Sequence, residues 1–541
     1  MALLPKPVAA AHPALLVTAA LALVLAFSLV RTWRSPLSRI PGTPSSLFTS
    51  AALRWHEMRG ERTRYVHALH QRYGPVVRLT PSEVSFSSAA AVKEIYNTAG
   101  SGYDKTDFYN LFTIYGRRTM FTTLGKEQHA RRRRILADRY ANSNVMRAPS
   151  LAGIEERARR FVDLCVAAPG GVLDIYTALH AYAFDCVTHH LFHPYGADSL
   201  RNEADADIMR EATFDDSLQN RLISWYSPAL YAVAGRIVAL FTSPRDTPLS
   251  NNFVLDTSAR TDTAAFTLTA RMHEKQQPYE NGPPSLADAE SRGYPQKPGF
   301  DLLDAAAESL DHMAAGIDTT GDGLCFLMYE LSLPRSRHFQ ERLRRELRDN
   351  KDGDNAAFDR LPFLDAVVME GLRCFPAIPM SLPRLVPSAH WGSSRAAATA
   401  GSASASGAGP GQGCDGRVID GYFVPTGTVV SSQAYSVHRM DASVFPDPDT
   451  FNPDRWLAPD GDAERRRNFF AFASGGRGCI GKHLALVEMK LLLRDVYTRF
   501  ATTPDAATTP EAMIMADQLI SARPLGQSCL LHFTPVDDTT S

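Results

Sequence analysis

The sequence predicts a mainly α fold with small β-sheets (an α+β chain), entered through a single N-terminal transmembrane helix. Three observations predict it. Apolar residues recur at helical spacing over long stretches such as Asp301–Leu333 and Lys482–Phe500. Short β-prone runs, Val76–Leu79 with Glu83–Phe86 and Arg417–Pro425 with Thr428–Val430, are separated by Pro, Ser and Gly turns. Ala14–Val30 carries no charge and is rich in Ala, Leu and Val.

That first run spans roughly 25 Å as a helix at ~1.5 Å per residue. Extended back toward Val8, it reaches the bilayer core thickness of about 30 Å. Residues 1–34 therefore read as a membrane anchor with its helix at about 8–30. A cleaved signal peptide is the competing account, disfavoured by the length of the run and by Arg31, Arg34 and Arg39 directly after it. Those arginines place the remainder on the cytosolic side. Residues 35–50, with Ile40-Pro41-Gly42-Thr43-Pro44, form a proline-rich linker, and 51–541 form the catalytic domain.

The chain of 541 residues is 44% hydrophobic and 21% charged with net charge −1, which gives no reason to propose nucleic-acid binding. Its 7 cysteines are scattered without a CxxC pair, so neither a zinc site nor a disulfide framework is indicated.

Within the domain, helices are expected over Ala51–Tyr73, Ala89–Asn97, His129–Tyr140, Ile154–Val166, Ile175–Phe192 and Asp205–Leu240, the last breakable at Tyr226-Ser227-Pro228. Gly100–Leu124 reads as a loop covering a pocket, and Lys275–Pro298 as a surface loop. On the basic helix, His129 and Arg133 are four apart and share a face, two donors suited to one carboxylate. Arg131, Arg132 and Arg134 point elsewhere and are candidates for docking an acidic electron donor, as are Arg465, Arg466 and Arg467. In the long helix, Ala314-Ala315-Gly316-Ile317-Asp318-Thr319-Thr320 sets poor helix formers mid-run, a groove or a mild kink. Glu370 and Arg373 share a face of the next helix, Phe363–Cys374. Pro376, Pro379 and Pro383 keep the following segment extended up to Arg384. Residues 388–416, mostly Ala, Ser and Gly, form a flexible insertion. Ala516–Phe533 reads as short strands and turns, with Leu519 and Ile520 directed at the pocket.

The rest is organised around Phe472-Ala473-Ser474-Gly475-Gly476-Arg477-Gly478-Cys479-Ile480-Gly481. Glycines let this backbone turn tightly against a flat partner. Leu484, Val487 and Leu491 then give the following helix one buried face. Cys479 near that helix N-terminus is placed to be a thiolate, although a buried structural cysteine on a glycine-rich turn is the competing account.

At Phe472, Gly475, Arg477, Cys479 and Gly481 the loop resembles that of the cytochrome P450 family, the haem-thiolate monooxygenases. The resemblance extends over nearly all of the chain after the anchor, with its motifs in the family's order, and implies the cytochrome P450 fold of a fungal microsomal-type member. It implies that Cys479 binds the iron of heme b, that Arg477, Arg384, His129 and Arg133 contact the propionates, that Phe472 packs beside the sulfur, and that Gly481 lets the helix pass close to the porphyrin. It implies that Gly316 makes room for O2 while Asp318 and Thr319 deliver protons. It implies that Glu370, Arg373 and Arg455, the last from Phe451-Asn452-Pro453-Asp454-Arg455, form a structural triad. The insertion at 388–416 departs from the family pattern. The expected activity is oxidation of a lipophilic molecule, such as a terpenoid or polyketide intermediate of secondary metabolism, at the endoplasmic reticulum membrane. Electrons would come from NADPH-cytochrome P450 reductase, with cytochrome b5 a further candidate, since no nicotinamide or flavin fingerprint is visible. A reductase-independent hydroperoxide isomerase or dehydratase, a non-catalytic haem-binding protein and a structural membrane protein are the alternatives.

Overall fold

The computed structural model describes residues 32–536 apart from 101, 216–219, 241–247, 261, 263, 276–299, 351–354 and 389–414, together with Thr18, Leu23 and Val30. Among the described residues no helix is long and apolar enough to cross a membrane. The expected anchor helix at about 8–30, the Lys275–Pro298 loop and the 388–416 insertion fall almost wholly outside the described residues.

The core is built on the long helix Leu302–Ser332. Its start is fixed by a capping box: Asp304 N donates to Asp301 Oδ1 at 2.6 Å, while the Asp304 carboxylate accepts from the Asp301 N–H. Arg117 ties the cap to the loop before the basic helix, 3.1 Å from Asp301. The helix runs unbroken through the Gly and Thr residues. Ile175–Phe192 lies against it, capped by Asp174 and buried at nearly every position. The approach is close because two glycines face that neighbour. A Cβ on Gly316 would sit 2.7 Å from Val187 Cγ2, and one on Gly321 would sit 3.0 Å from the His180 ring.

Pro362–Cys374 and Lys482–Arg499 complete the centre. Leu324, Leu327, Leu372, Leu484, Val487 and Leu491 share one hydrophobic cluster, so the apolar stripe read after Cys479 is the buried one.

Strands in chain order are β1 (Val76–Thr80), β2 (Glu83–Phe86), β3 (Asp104–Lys105), β4 (Val172–Asp174), β5 (Arg384–Leu385), β6 (Gly416–Ile419), β7 (Tyr422–Pro425), β8 (Val429–Ser431), β9 (Phe500–Pro504), β10 (Met515–Gln518), β11 (Ser521–Pro524) and β12 (Leu530–Pro535). One sheet has the order β1-β2-β8-β5-β3. Its β3–β5 pairing sets Lys105 opposite Arg384, which matters for the site.

The structure divides some expected elements. Ala51–Tyr73 is two helices, Ala51–Met58 and Arg62–Tyr73, separated at Gly60 with φ 68°. The region expected as Asp205–Leu240 becomes Glu203–Arg210, a wider turn at Glu211–Asp215, Asn220–Tyr226 and Pro228–Ala239, broken at Ser227 before the proline. Helices Leu249–Ala259 and Arg337–Asp349 were not anticipated.

Candidate functional site

Cys479 lies at the end of a tight loop that the backbone closes on itself. Its N–H donates to Phe472 O at 2.9 Å, and Gly478 N donates to Gly475 O at 2.9 Å. Gly475 has φ +71°, and a Cβ there would stand 2.2 Å from Tyr96 O, so only glycine fits where the loop meets residues 93–97. Ser474 Oγ bonds Asn97 Oδ1 at 3.0 Å. The Cys479 side chain is exposed and lines a cavity, and Gly481 caps the helix beyond it. Desolvation pushes the Cys479 pKa up, against the N–H groups of Gly481 and Lys482 and the charges of Arg133 and Lys482.

Glu370, Arg373 and Arg455 come together as expected. Arg373 pairs with Glu370 at 2.8 Å and Arg455 with Glu370 at 3.0 Å, all three buried. The Trp456 indole and the Asn452 N–H each donate to Glu370 at 2.9 Å. Burial would raise the Glu370 pKa; the Arg373 hydrogen bond and charge, Arg455 and the Asn452 amide outweigh it, and the net shift is downward. The triad reaches the cysteine loop through a residue the sequence did not flag. His438 Nδ1 bonds Arg373 O at 3.0 Å, and its Nε2 accepts from Phe470 N at 2.8 Å. Only the tertiary fold brings His438 there.

Ala314, Ala315, Gly316, Asp318 and Thr319 of the long helix line the same cavity as Cys479, of about 1100 Å³. Thr319 Oγ1 donates to Ala315 O at 2.7 Å. Desolvation raises the Asp318 pKa to about 7, offset in part by Arg523. The cavity also reaches Glu488, whose pKa burial raises to about 8 and whose carboxylate accepts a long 3.4 Å bond from Thr320. Gly316 lines the cavity and also has a packing role: a Cβ there would sit 2.7 Å from Val187 Cγ2.

A cluster of cationic side chains lies along the Cys479 side. Arg477 donates to Asp104 at 2.8 Å and to Leu124 O at 2.9 Å. Arg384 donates to Tyr109 OH at 2.7 Å. Lys105 is buried beside them and donates to Phe121 O. Burial, then Arg384 and Arg477, holds its pKa well below the ordinary value. His129 is pushed down to about 2 by burial and by Lys105, Arg477, Arg133 and Arg384. Arg133 lines the same cavity as His129 and donates to Gly478 O at 2.6 Å, so it also braces the cysteine loop. Of the other basic residues, Arg132 is taken by Glu308 at 3.1 Å, Arg465 is buried on Asp460 O, and Arg466 pairs with Asp462. Arg131, Arg134 and Arg467 remain exposed.

The cytochrome P450 family model matches residues 41–390 and 415–530. The chain belongs to the cytochrome P450 family. The gap in the match coincides with the Ala/Ser/Gly-rich stretch. Similar curated proteins include cytochrome P450 monooxygenase orf2 of Aspergillus niger, 28% identical over 89% of each chain. Cytochrome P450 monooxygenase tazI of Aspergillus terreus is 28% identical over 88% of this chain and 89% of its own. Cytochrome P450 monooxygenase aflV of Aspergillus parasiticus is 27% identical over 92% and 91%. The protein is a cytochrome P450 monooxygenase, and P450 enzymes carry haem with a cysteine thiolate as axial ligand.

The residues of this P450 fit that group. Lys105, His129, Arg133, Arg384 and Arg477 repel one another in a low-dielectric site, and the Nε atoms of Arg384 and Arg477 are buried without a hydrogen-bond partner. Uncompensated buried donors of one sign call for an anionic partner, which a porphyrin's carboxylates supply. Lys105 was missed in the sequence because its strand is two residues long; its pairing with Arg384 became visible only with the register of β3 on β5.

Proposed function

We propose that this P450 is a fungal microsomal-type monooxygenase that oxidises a lipophilic secondary-metabolite intermediate, with Cys479 as the ligand of its haem iron. The observation that carries this reading is that Cys479, Asp318 and Thr319 line one cavity. Haem held by Cys479 would supply the oxidising chemistry on O2, with the Cys479 sulfur contributing electron density. Arg477, Arg384 and His129 hold its propionates, joined by Lys105, while Arg133 holds the Gly478 carbonyl and with it the cysteine loop. Phe472 and Gly481 shape the immediate surroundings of the sulfur. Glu370, Arg373 and Arg455 keep the loop in place and take no part in the chemistry.

On the opposite wall Asp318 is the proton donor. A carboxyl poised near neutrality gives up and regains a proton readily. The Thr319 hydroxyl, now on Ala315 O, turns to accept from Asp318 and to donate into the cavity. Leu111, Phe112, Ile114, Met120, Phe121 and Ile378 make the wall where substrate sits largely apolar, which supports a terpenoid- or polyketide-like substrate. The Aspergillus relatives support the same setting. Electrons come from NADPH-cytochrome P450 reductase or cytochrome b5 docking at Arg131, Arg134 and Arg467, with the protein held at the endoplasmic reticulum membrane by residues 1–34.

A ferrous–CO difference spectrum tests the ligand assignment: the full-length protein gives the thiolate signature and Cys479→Ser abolishes it. Retention of the signature in that variant overturns the assignment. A binding screen of lipophilic metabolites with reductase-coupled product analysis then identifies the substrate.

A further inference from the structure

Directly behind the cavity wall, one helical turn beyond Asp318, lies a second carboxylate with no part in the scheme above. Asp322 is 3% exposed. Asp318 and Asp322 are four apart, so their Cβ atoms lie roughly 5–6 Å from each other on one face, within reach of a single bridging water. Asp322 Oδ1 faces His180 Nε2 at 3.6 Å, too long for a hydrogen bond. Both atoms, and the Tyr176 hydroxyl beside them, are buried with no hydrogen-bond partner among the described residues. The Tyr176 and His180 rings lie 4.6 Å apart.

Three unsatisfied polar atoms in one buried spot are costly unless a water or a shared proton occupies it. The His180 tautomer is set: Nδ1 lies 2.7 Å from Tyr176 O and must carry the hydrogen, so Nε2 presents a lone pair toward Asp322. A protonated Asp322, directly or through a water, can answer that lone pair, whereas an ionised one cannot donate to it. Burial, and then Asp318, raises the Asp322 pKa well above its ordinary value, while burial lowers His180 to about 4. The charged and titratable groups facing the pair are Asp318 and Cys325 on the same helix, Tyr176 and Asp174 at the start of the Ile175–Phe192 helix, and Arg523 on β11, which acts on Asp318 and Asp322 alike.

We propose that Asp322 and His180 form a buried proton-holding pair that reprotonates Asp318 each time Asp318 has given its proton to the cavity. The inference rests on Asp318 being the donor there. In the step, the O–H bond of Asp322 breaks and one forms on the Asp318 carboxylate through the intervening water. The negative charge moves to Asp322, where Arg523 stabilises it, and a proton from solvent water restores the pair. No electrons are exchanged. Asp322 and His180 are positioning residues, since neither lines the cavity.

The test compares Asp322→Asn with Asp318→Asn in the haem-loaded, reductase-coupled enzyme, and by carboxyl infrared spectroscopy of the same proteins. Asp322→Asn should slow turnover about tenfold and enlarge the solvent hydrogen isotope effect, against the ~100-fold or more expected on removing a general acid itself. Haem content and substrate binding should not change. The infrared spectrum should lose a neutral-acid band that persists in the parent above pH 7. His180→Gln should move rate and isotope effect in the same direction, and it serves where Asp322→Asn does not fold. An unchanged isotope effect and no lost band in Asp322→Asn, with Asp318→Asn still impaired, overturn the proton-holding pair and leave Asp318 as donor. An unimpaired Asp318→Asn overturns both.

Discussion

The support behind the cysteine loop and the region behind the long helix are built on opposite terms. Behind Cys479, Glu370 accepts from Arg373, Arg455, Trp456 and the Asn452 amide, and His438 carries the same network to Phe470. Behind the far wall Tyr176, His180 and Asp322 each keep a buried polar atom without a partner among the described residues. A satisfied network of charges fixes one geometry. An unsatisfied one leaves protons free to move and shifts pKa values toward neutrality. The contrast separates a wall that must hold still from a wall that must exchange protons, and substitutions should divide accordingly.

The largest effects belong to the cysteine wall. Glu370→Ala strands two buried guanidinium groups, and breaking a buried ion pair from one side costs about 3–5 kcal/mol. The variant should fail to retain haem, measured as the haem-to-protein ratio after purification; normal loading would show that the network is dispensable. The same carboxylate gives a pH dependence. Its folded pKa lies below its unfolded value, so the stability it contributes is present above the unfolded pKa and is lost as pH falls through the folded one. Denaturation of the parent and Glu370→Gln should therefore converge in acid and diverge toward neutrality.

Next comes the proton wall. Asp318→Asn should retain haem and fold while losing ~100-fold or more in turnover. The parent's turnover should fall as pH rises past about 7, where the Asp318 carboxyl ionises, and the variant should lack that limb. A limb preserved in Asp318→Asn would assign it to another cavity carboxyl, Asp311, raised to about 6, or Glu488, raised to about 8.

Smaller, and local to the loop, is Gly475→Ala. It meets Tyr96 O at 2.2 Å in a left-handed conformation that costs ~1–3 kcal/mol for a residue with a side chain. Thermal unfolding should fall by a few degrees, with a weaker loss of haem than Glu370→Ala.

How far the sequence foretold these walls differs in the same way. The Cys479 loop was legible because its motif is local; the triad, whose Glu370 and Arg455 lie far apart in the chain, was legible only through the family resemblance and the order of the motifs. The capped helix at Asp301 and the hairpin of β1 and β2 were legible from turn chemistry and periodicity. His438, Lys105 and the His180–Asp322 pair were not. Each acquires its meaning from a contact across distant segments, and a lone histidine or aspartate in an apolar run carries no local signature. The division of Asp205–Leu240 was half-read: Pro228 announced one break, while the wider turn at Glu211–Asp215 is imposed by packing, with Glu211 capping Leu249 and Ser250.

Gly316 tests whether the far wall is also a packed one. Were the glycine there only to leave space for a ligand, alanine would narrow the cavity and spare the fold. The geometry instead aims a Cβ at Val187, 2.7 Å from Cγ2, inside the contact between the long helix and Ile175–Phe192. Valine is stiff at χ1 and cannot swing aside cheaply. Gly316→Ala gains about 1 kcal/mol of helix propensity and loses about 1–3 kcal/mol to overpacking, for a net destabilisation near the small end of this series. Val187→Ala removes the obstructing methyls. The double variant should thus be more stable than additivity allows, by denaturant unfolding, with substrate binding recovered alongside. Strict additivity would mean that the two helices do not compete for that space, and the reading of Gly316 as a packing glycine would have to be abandoned in favour of a cavity role.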